Sequence, residues 1–212
     1  VIRGAMRRIG GLARQLRDNT IRGSRQHIHE HYDLGNPFFA LFLDTHLMYS
    51  CGYHATGTES LEEAQEAKLD KICRALQLGP DDHVLEIGAG LGALTLALAE
   101  TGARVTAVEI DDGLVNVLRE NVASCSSVQV VHGDAMRLEW ESLLAGSDNW
   151  TVVANLPYNV GTPLLAKWLC AEPWPPFFGS LTVMLQKEVA LRMTALPNSK
   201  SYGRLAALCQ WR

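Results

Sequence analysis

From His83 onward, short apolar runs alternate with stretches whose apolar positions recur every three or four residues. The runs at 83–88, 104–109, 128–132, 151–155 and 181–185 read as buried strands. Helical spacing fills the intervals at 93–100, 113–122, 138–144 and 163–170, and recurs at 187–196 after the last run. Alternation of this kind predicts an α/β fold with a mostly parallel sheet and helices on both faces. Upstream, Ser60-Leu-Glu-Glu63 is a capping box. It opens a helix with Leu61, Ala64, Leu69, Ile72 and Leu76 on one face, which Gly79-Pro80 is expected to end. The apolar stretch 205–211 is expected to begin a sixth strand.

The first 31 residues read as a mobile or helical arm, and 31–54 as an aromatic-rich, lid-like flank containing Tyr32, Phe38, Phe39, Phe42, Tyr49 and Tyr53. Two regions follow from this: the arm and flank at 1–59, and a core at 60–212. With 212 residues, 47% of them apolar, the chain can bury one substantial core. No apolar run approaches the ~20 residues of a membrane helix. The basic N-terminus lacks the apolar stretch of a secretory signal. Cys51, Cys73, Cys125, Cys170 and Cys209 are odd in number and widely spaced, which predicts a reducing cytoplasm and mostly apolar-filler roles. Cys51 is expected to be a buried thiol. His29, His31 and His54 form no metal-ligand spacing, and no metal is expected.

The net charge of −4 conceals an asymmetry. The arm holds Arg3, Arg7, Arg8, Arg14, Arg17, Arg22 and Arg25 against Asp18 and Glu30, residues 32–150 are acidic, and beyond 151 the balance is basic again. Both basic ends suit a polyanion such as RNA, or an anionic membrane surface; a solvated face is the plainer alternative.

Val84-Leu-Glu-Ile-Gly-Ala-Gly-Leu-Gly92 turns a strand into a helix. Glycines let a backbone bend tightly and approach a ligand without Cβ clashes. Glu109 ends the next strand, 21 positions after Gly88, a spacing that suits a carboxylate accepting from the ribose hydroxyls of an adenosine. Gly88, Gly90 and Ala93 also fit the dinucleotide pattern G-x-G-x-x-A. Two features favour S-adenosylmethionine (SAM) instead. Glu86 lies just before the glycines, and Gly133-Asp134-Ala135 ends the third strand, where Asp134 can accept the adenine amino group. Asp134 would equally serve as a turn former.

Asn155-Leu-Pro-Tyr-Asn159 follows the fourth strand, where open α/β sheets place their ligands. It offers an amide side chain, carbonyls in a proline-restricted turn and an aromatic face, which together can hold a planar, weakly nucleophilic amine. The stretch resembles the signature of methyltransferases that act on exocyclic amino groups, adenine N6 being the typical target.

From about Val84 to Arg212 the chain resembles the bacterial small-subunit rRNA adenine N6,N6-dimethyltransferase family. The matching stretches are Glu86–Thr95, Val105–Asp111, Gly133–Met136, Asn155–Asn159, Thr162–Leu164, Met184–Val189 and Pro197–Leu205. Residues before about Val84 resemble the start of a cyclopropane-fatty-acyl-phospholipid synthase, through His31–Asn36, Phe38–Asp44, Leu47–Tyr53 and Glu62–Asp70. Both families share V-L-E-I-G-x-G, so the chain reads as a chimera spliced near Val84–Gly90.

The resemblances imply a Rossmann-like SAM-dependent methyltransferase fold, truncated at its C-terminal strands and without the C-terminal helical domain. Cofactor contacts would come from Glu86, Gly88, Gly90, Glu109, Ile110, Asp134, Ala135 and Asn155, and from the synthase side Tyr49 and Ser50. Catalysis would use Asn155, Leu156, Pro157 and Tyr158, with Asn155 and the Leu156 carbonyl accepting from N6–H and Tyr158 stacking on the base. Lys187, Arg192, Lys200 and Arg204 would contact RNA phosphates. The implied partner is small-subunit rRNA. The alternatives are membrane phospholipid, modified through Cys51 and Tyr49, and a catalytically silent SAM- or RNA-binding module. Oligomeric state is not legible.

Overall fold

The computed structural model describes residues 36–144, 150–156, 158–172, 174 and 176–212. The basic arm, Pro157 and the side chains of Tyr158 and Asn159 lie outside the described residues. The chain divides into two compact units, one ending at Tyr49 and one running from Ser50 to Arg212.

In the first unit, α1 (Asn36–Phe39) leads into a turn organised by Asp44. Its buried carboxylate accepts from the backbone N–H of His46 at 3.1 Å and of Met48 at 2.8 Å. Phe38 makes edge-to-face ring pairs with Phe39 and Phe42, and Phe39 makes one with Tyr49.

The second unit begins with α2 (Leu61–Leu76), opened by the expected capping box. Ser60 Oγ accepts from the Glu63 N–H, and Glu63 Oε2 accepts from the Ser60 N–H. The helix stops before Gly79: Gln77 takes the left-handed conformation, with φ of 52°. The strand–helix series follows as β1 (His83–Ile87), α3 (Ala93–Glu100), β2 (Arg104–Glu109), α4 (Asp112–Asn121), β3 (Val128–His132), α5 (Trp140–Leu143), β4 (Trp150–Asn155), α6 (Tyr158–Leu169) and β5 (Phe178–Met184). Two helices, α7 (Lys187–Met193) and α8 (Arg204–Trp211), close the chain.

All described strand pairs are parallel, in the order β3-β2-β1-β4-β5. The near-continuous apolar strands follow from burial on both faces. Leu85, Ile87, Val152 and Ala154 enter one core cluster, while Val84 and Val153 enter another with Leu94 and Leu98. Period-two alternation thus splits each central strand between the two layers. Leu98 is fully buried, and truncating such a leucine to alanine costs about 2–5 kcal/mol. The chain order reverses at β1, between β2 and β4, which opens a crevice at the carboxyl ends of β1 and β4.

Residues 204–211 form a helix, not a sixth strand. A continuous apolar run does not distinguish the two by period, and the Leu-Ala-Ala-Leu composition favours the helix. α6 starts at Tyr158, so Pro163 sits inside it rather than at its first turn. β5 runs from Phe178 to Met184, starting three residues ahead of the strand expected at 181–185. The boundaries of α4, α5 and α7 shift similarly; Asp111 caps α4 by accepting from the N–H groups of Gly113 and Leu114. Cys51 is exposed rather than buried, as is Cys170.

Candidate functional site

The glycine loop leaves β1 by a tight turn in which the N–H groups of Gly88 and Ala89 both donate to the Val108 carbonyl, at 2.9 and 3.2 Å. Its three glycines do different jobs. Gly88 has φ of +77°, and a Cβ there would lie 3.1 Å from the Asn155 carbonyl oxygen. A Cβ on Gly90 would meet nothing within 4 Å, so its backbone faces open space. A Cβ on Gly92 would lie 2.7 Å from Leu118, so this glycine allows α4 to pack closely.

Glu109 is 6% exposed at the end of β2. Its Oε2 accepts from the Gly90 N–H at 2.8 Å, and its Oε1 accepts from the N–H groups of Ile110 and Asp111 at 2.8 and 3.0 Å. The carboxylate therefore ties the glycine loop to the β2–α4 turn. A carboxylate has about four lone-pair sites, so one remains for a ligand hydroxyl.

Glu86 is fully buried beneath the loop and accepts from Thr95 Oγ1 at 2.6 Å. Burial pushes its carboxyl up from 4.5 to about 8; the Thr95 hydroxyl partly opposes this, and the Glu109 charge adds to it. Thr95 was not singled out from sequence. The signal for it is a hydroxyl in the otherwise apolar run Ala93–Glu100.

Asp134 sits in the turn after β3. Its Oδ1 accepts from the Met136 N–H at 2.9 Å, and its Oδ2 lies 3.5 Å from the Arg137 guanidinium. Ala135 is buried in the core, leaving its backbone as the part able to meet a ligand. Ile110 is 58% exposed immediately beyond Glu109. Lys167 Nζ donates to the Met136 carbonyl at 2.7 Å and braces this turn against α6.

Asn155 ends β4 with its side chain exposed, in register with Met184 of β5, and Leu156 is buried behind it. A Cβ on Gly161 would lie 2.8 Å from Leu185, so Leu185 packs against the first turns of α6. Glu86, Gly88, Gly90, Glu109, Ile110, Asp134 and Asn155 thus gather at the carboxyl ends of β1 to β4.

The two residues assigned from the synthase resemblance each have partners of their own. Tyr49 belongs to the first unit, edge-on to Phe39. Ser50 is fastened to α2: its hydroxyl accepts from Lys68 Nζ and its carbonyl from Gln65 Nε2, each at 2.9 Å. The basic set is exposed throughout, with Lys187 and Arg192 on α7, Lys200 in the connecting turn and Arg204 at the start of α8. Leu191, Leu196 and Tyr202 are exposed on the same segments.

Residues 63–212 match the family model described as ribosomal RNA adenine dimethylase. The chain is 51% identical over 159 residues to ribosomal RNA small subunit methyltransferase A of Erythrobacter litoralis (strain HTCC2594), covering 74% of this chain and 55% of that protein. It thus spans about half the length of the curated relatives it matches. Among solved structures, a dimethyladenosine transferase from Plasmodium falciparum superposes with a TM-score of 0.58 at 31% identity, over 68% of this chain and 50% of that one. Mycolic acid cyclopropane synthase CmaA1, solved with SAH and CTAB, shares the fold at a TM-score of 0.54 and 23% identity, over 78% of this chain and 59% of that one.

Proposed function

The chain belongs to the ribosomal RNA adenine dimethylase family, and on that premise we propose that it transfers methyl groups from SAM to adenine N6 of small-subunit rRNA. Its parallel five-stranded sheet is the Rossmann-like fold of SAM-dependent methyltransferases. The observation that carries the reading is the backbone contact between the two motifs, with Gly88 against the Asn155 carbonyl, which sets a nucleoside cradle beside an amine-holding loop.

The residues present suit SAM. Gly90 faces open space that a Cβ would enter, Glu109 keeps a lone pair for a ribose hydroxyl, Asp134 offers a carboxylate and Ile110 an exposed apolar surface. Tyr49 and Ser50 are retained as proposed contacts from the N-terminal side. When bound, SAM supplies an electrophilic methyl group on a sulfonium. The chain's own residues hold and orient the acceptor. The Asn155 side-chain oxygen and the Leu156 carbonyl accept from the adenine amino group, which turns its lone pair out of conjugation. The same oxygens stabilise positive charge developing on nitrogen. Pro157 stiffens the turn, and Tyr158 stacks on a base drawn out of its helix, which is easiest in an RNA loop. Lys187, Arg192, Lys200 and Arg204 contact the phosphates. Five free thiols accord with a cytoplasmic setting.

We also carry forward the chimera. The family match begins at Glu63, upstream of the splice expected at Val84–Gly90, so the synthase resemblance is left with the stretch before Glu63 and loses most of Glu62–Asp70. The test uses methyl-labelled SAM with small-subunit rRNA particles in one reaction and unsaturated phospholipid vesicles in another. Label in RNA adenine, lost in Asn155→Ala, supports the proposal. Label in lipid transfers the function to the N-terminal resemblance, and SAM binding without any labelling identifies a silent binding module.

A further inference from the structure

One side chain at the cofactor edge has no part in the reading above. His132 is the last residue of β3, in register with Glu109, and its Nε2 lies 3.1 Å from the Ile110 carbonyl oxygen. The preceding half of the same residue is held from the other side, since the Ile110 N–H donates to Glu109 Oε1 at 2.8 Å. Ile110 is therefore clamped at its N–H by β2 and at its carbonyl by β3. The two strand ends are also locked to each other, because the Gly133 N–H donates to the Glu109 carbonyl at 2.9 Å.

The clamp acts where presentation matters. Ile110 is 58% exposed, between a strand end and the Asp111 cap of α4. An apolar side chain contributes more to ligand binding when its backbone is already fixed, because ordering a loop on binding subtracts from affinity. A donor to a carbonyl must carry hydrogen on Nε2, which the neutral Nε2–H tautomer provides. His132 Nε2 also lies 3.3 Å from Asp112 Oδ1, but that carboxylate is 91% exposed and its attraction is screened by solvent.

We infer that His132 is a positioning residue for the adenosine half of the cofactor, fixing the Ile110 peptide so that its side chain is presented to the adenine ring. The inference rests on the reading of this crevice as a SAM site.

The test is calorimetric titration of the purified chain with S-adenosylhomocysteine and with 5′-methylthioadenosine, which carries the adenosine half alone. His132→Phe keeps a ring and removes the donor; His132→Gln restores an N–H of similar reach. In His132→Phe both ligands weaken by about tenfold, the scale of one lost hydrogen bond. His132→Gln recovers most of that loss, and the ligand-free melting temperatures of the three proteins agree. Unchanged affinity in His132→Phe overturns the inference, as does a loss that His132→Gln fails to recover. If the unaltered chain binds neither ligand, the cofactor reading fails and this inference with it.

Discussion

The carbonyl oxygen of Asn155 occupies the space a side chain on Gly88 would need, 3.1 Å from the position of its Cβ. The two residues are far apart in sequence and adjacent because β1 and β4 are neighbours, with Ile87 opposite Ala154. Gly88→Ala is therefore penalised twice. A left-handed φ of +77° costs a β-carbon about 1–2 kcal/mol, and the Asn155 backbone must also retreat. A lower melting temperature and at least tenfold weaker S-adenosylhomocysteine binding are expected. Wild-type affinity in this variant would count against the loop as the cofactor cradle.

Glu86 makes stability depend on pH in a direction opposite to that of a carboxylate held in an ion pair. Its folded-state pKa is raised from 4.5 to about 8. Below 4.5 both folded and unfolded states are protonated. As pH rises, the unfolded chain releases the proton first, so the contribution to stability is lost progressively through 8. Glu86→Gln keeps the shape and a partner for Thr95 without that loss. Between pH 4.5 and 7 the variant should gain roughly 3 kcal/mol on the parent. Urea unfolding across this range checks the sign: parallel curves would show that Glu86 does not titrate this way.

Glu109 gives a sharper variant than its predicted ribose role alone suggests. Its two oxygens accept from three backbone N–H groups, those of Gly90, Ile110 and Asp111. Glu109→Gln keeps one acceptor oxygen and replaces the other with a donor facing a donor. An unmet buried hydrogen bond costs about 1–3 kcal/mol, so stability and cofactor affinity should fall together. Glu109→Asp keeps both oxygens but shortens the reach, and should retain part of each. A Gln variant that lost affinity at unchanged melting temperature would restrict Glu109 to ligand contact.

The parts legible in the sequence are those set by local pattern. Residues 104–109 and 128–132 alternate or run apolar between clear breaks, and both strands have the expected bounds. The capping box at Ser60 has one physical solution and was found. What was missed depends on packing. Leu205-Ala-Ala-Leu208 is apolar in either structure; it is helical, with the Ala207 N–H donating to the Gly203 carbonyl at 3.0 Å and Ala206 buried. The helix expected at 163–170 starts five residues earlier, so α6 begins at Tyr158 and contains Pro163. Glu109 was assigned a ligand role from its spacing, whereas its bonds to the glycine loop arise from β1 and β2 being adjacent. Nothing in the sequence marks His132, whose partner is a carbonyl just beyond the end of β2.

Asn155 ends β4 with an exposed side chain, while the buried Leu156 fixes the turn behind it. Asn155→Ala removes the acceptor proposed for the adenine amine without opening the core. Methyl transfer to rRNA should fall by about 100-fold or more, the scale of removing one preorganised polar group at a reacting centre. The melting temperature should hold. Asn155→Asp keeps an acceptor and should recover part of the rate. Equal rates for Ala and the parent would move the acceptor site away from this loop.

The exposed cations at Lys187, Arg192, Lys200 and Arg204 lie on α7, the following turn and the start of α8, with Glu188 the nearest opposing charge in sequence. If they bind phosphates, their effect is electrostatic and separable from chemistry. Each phosphate contact on single-stranded RNA contributes about −0.7 to the slope of log affinity against log salt. Alanine at all four should flatten that slope by about 3 while leaving S-adenosylhomocysteine affinity unchanged. Exposed charges of this kind contribute little to folding, so the variant should remain as stable as the parent. Salt titration of fluorescently labelled RNA reads the slope directly. An unchanged slope would make these residues a solvated face and place the RNA-binding charge elsewhere on the chain.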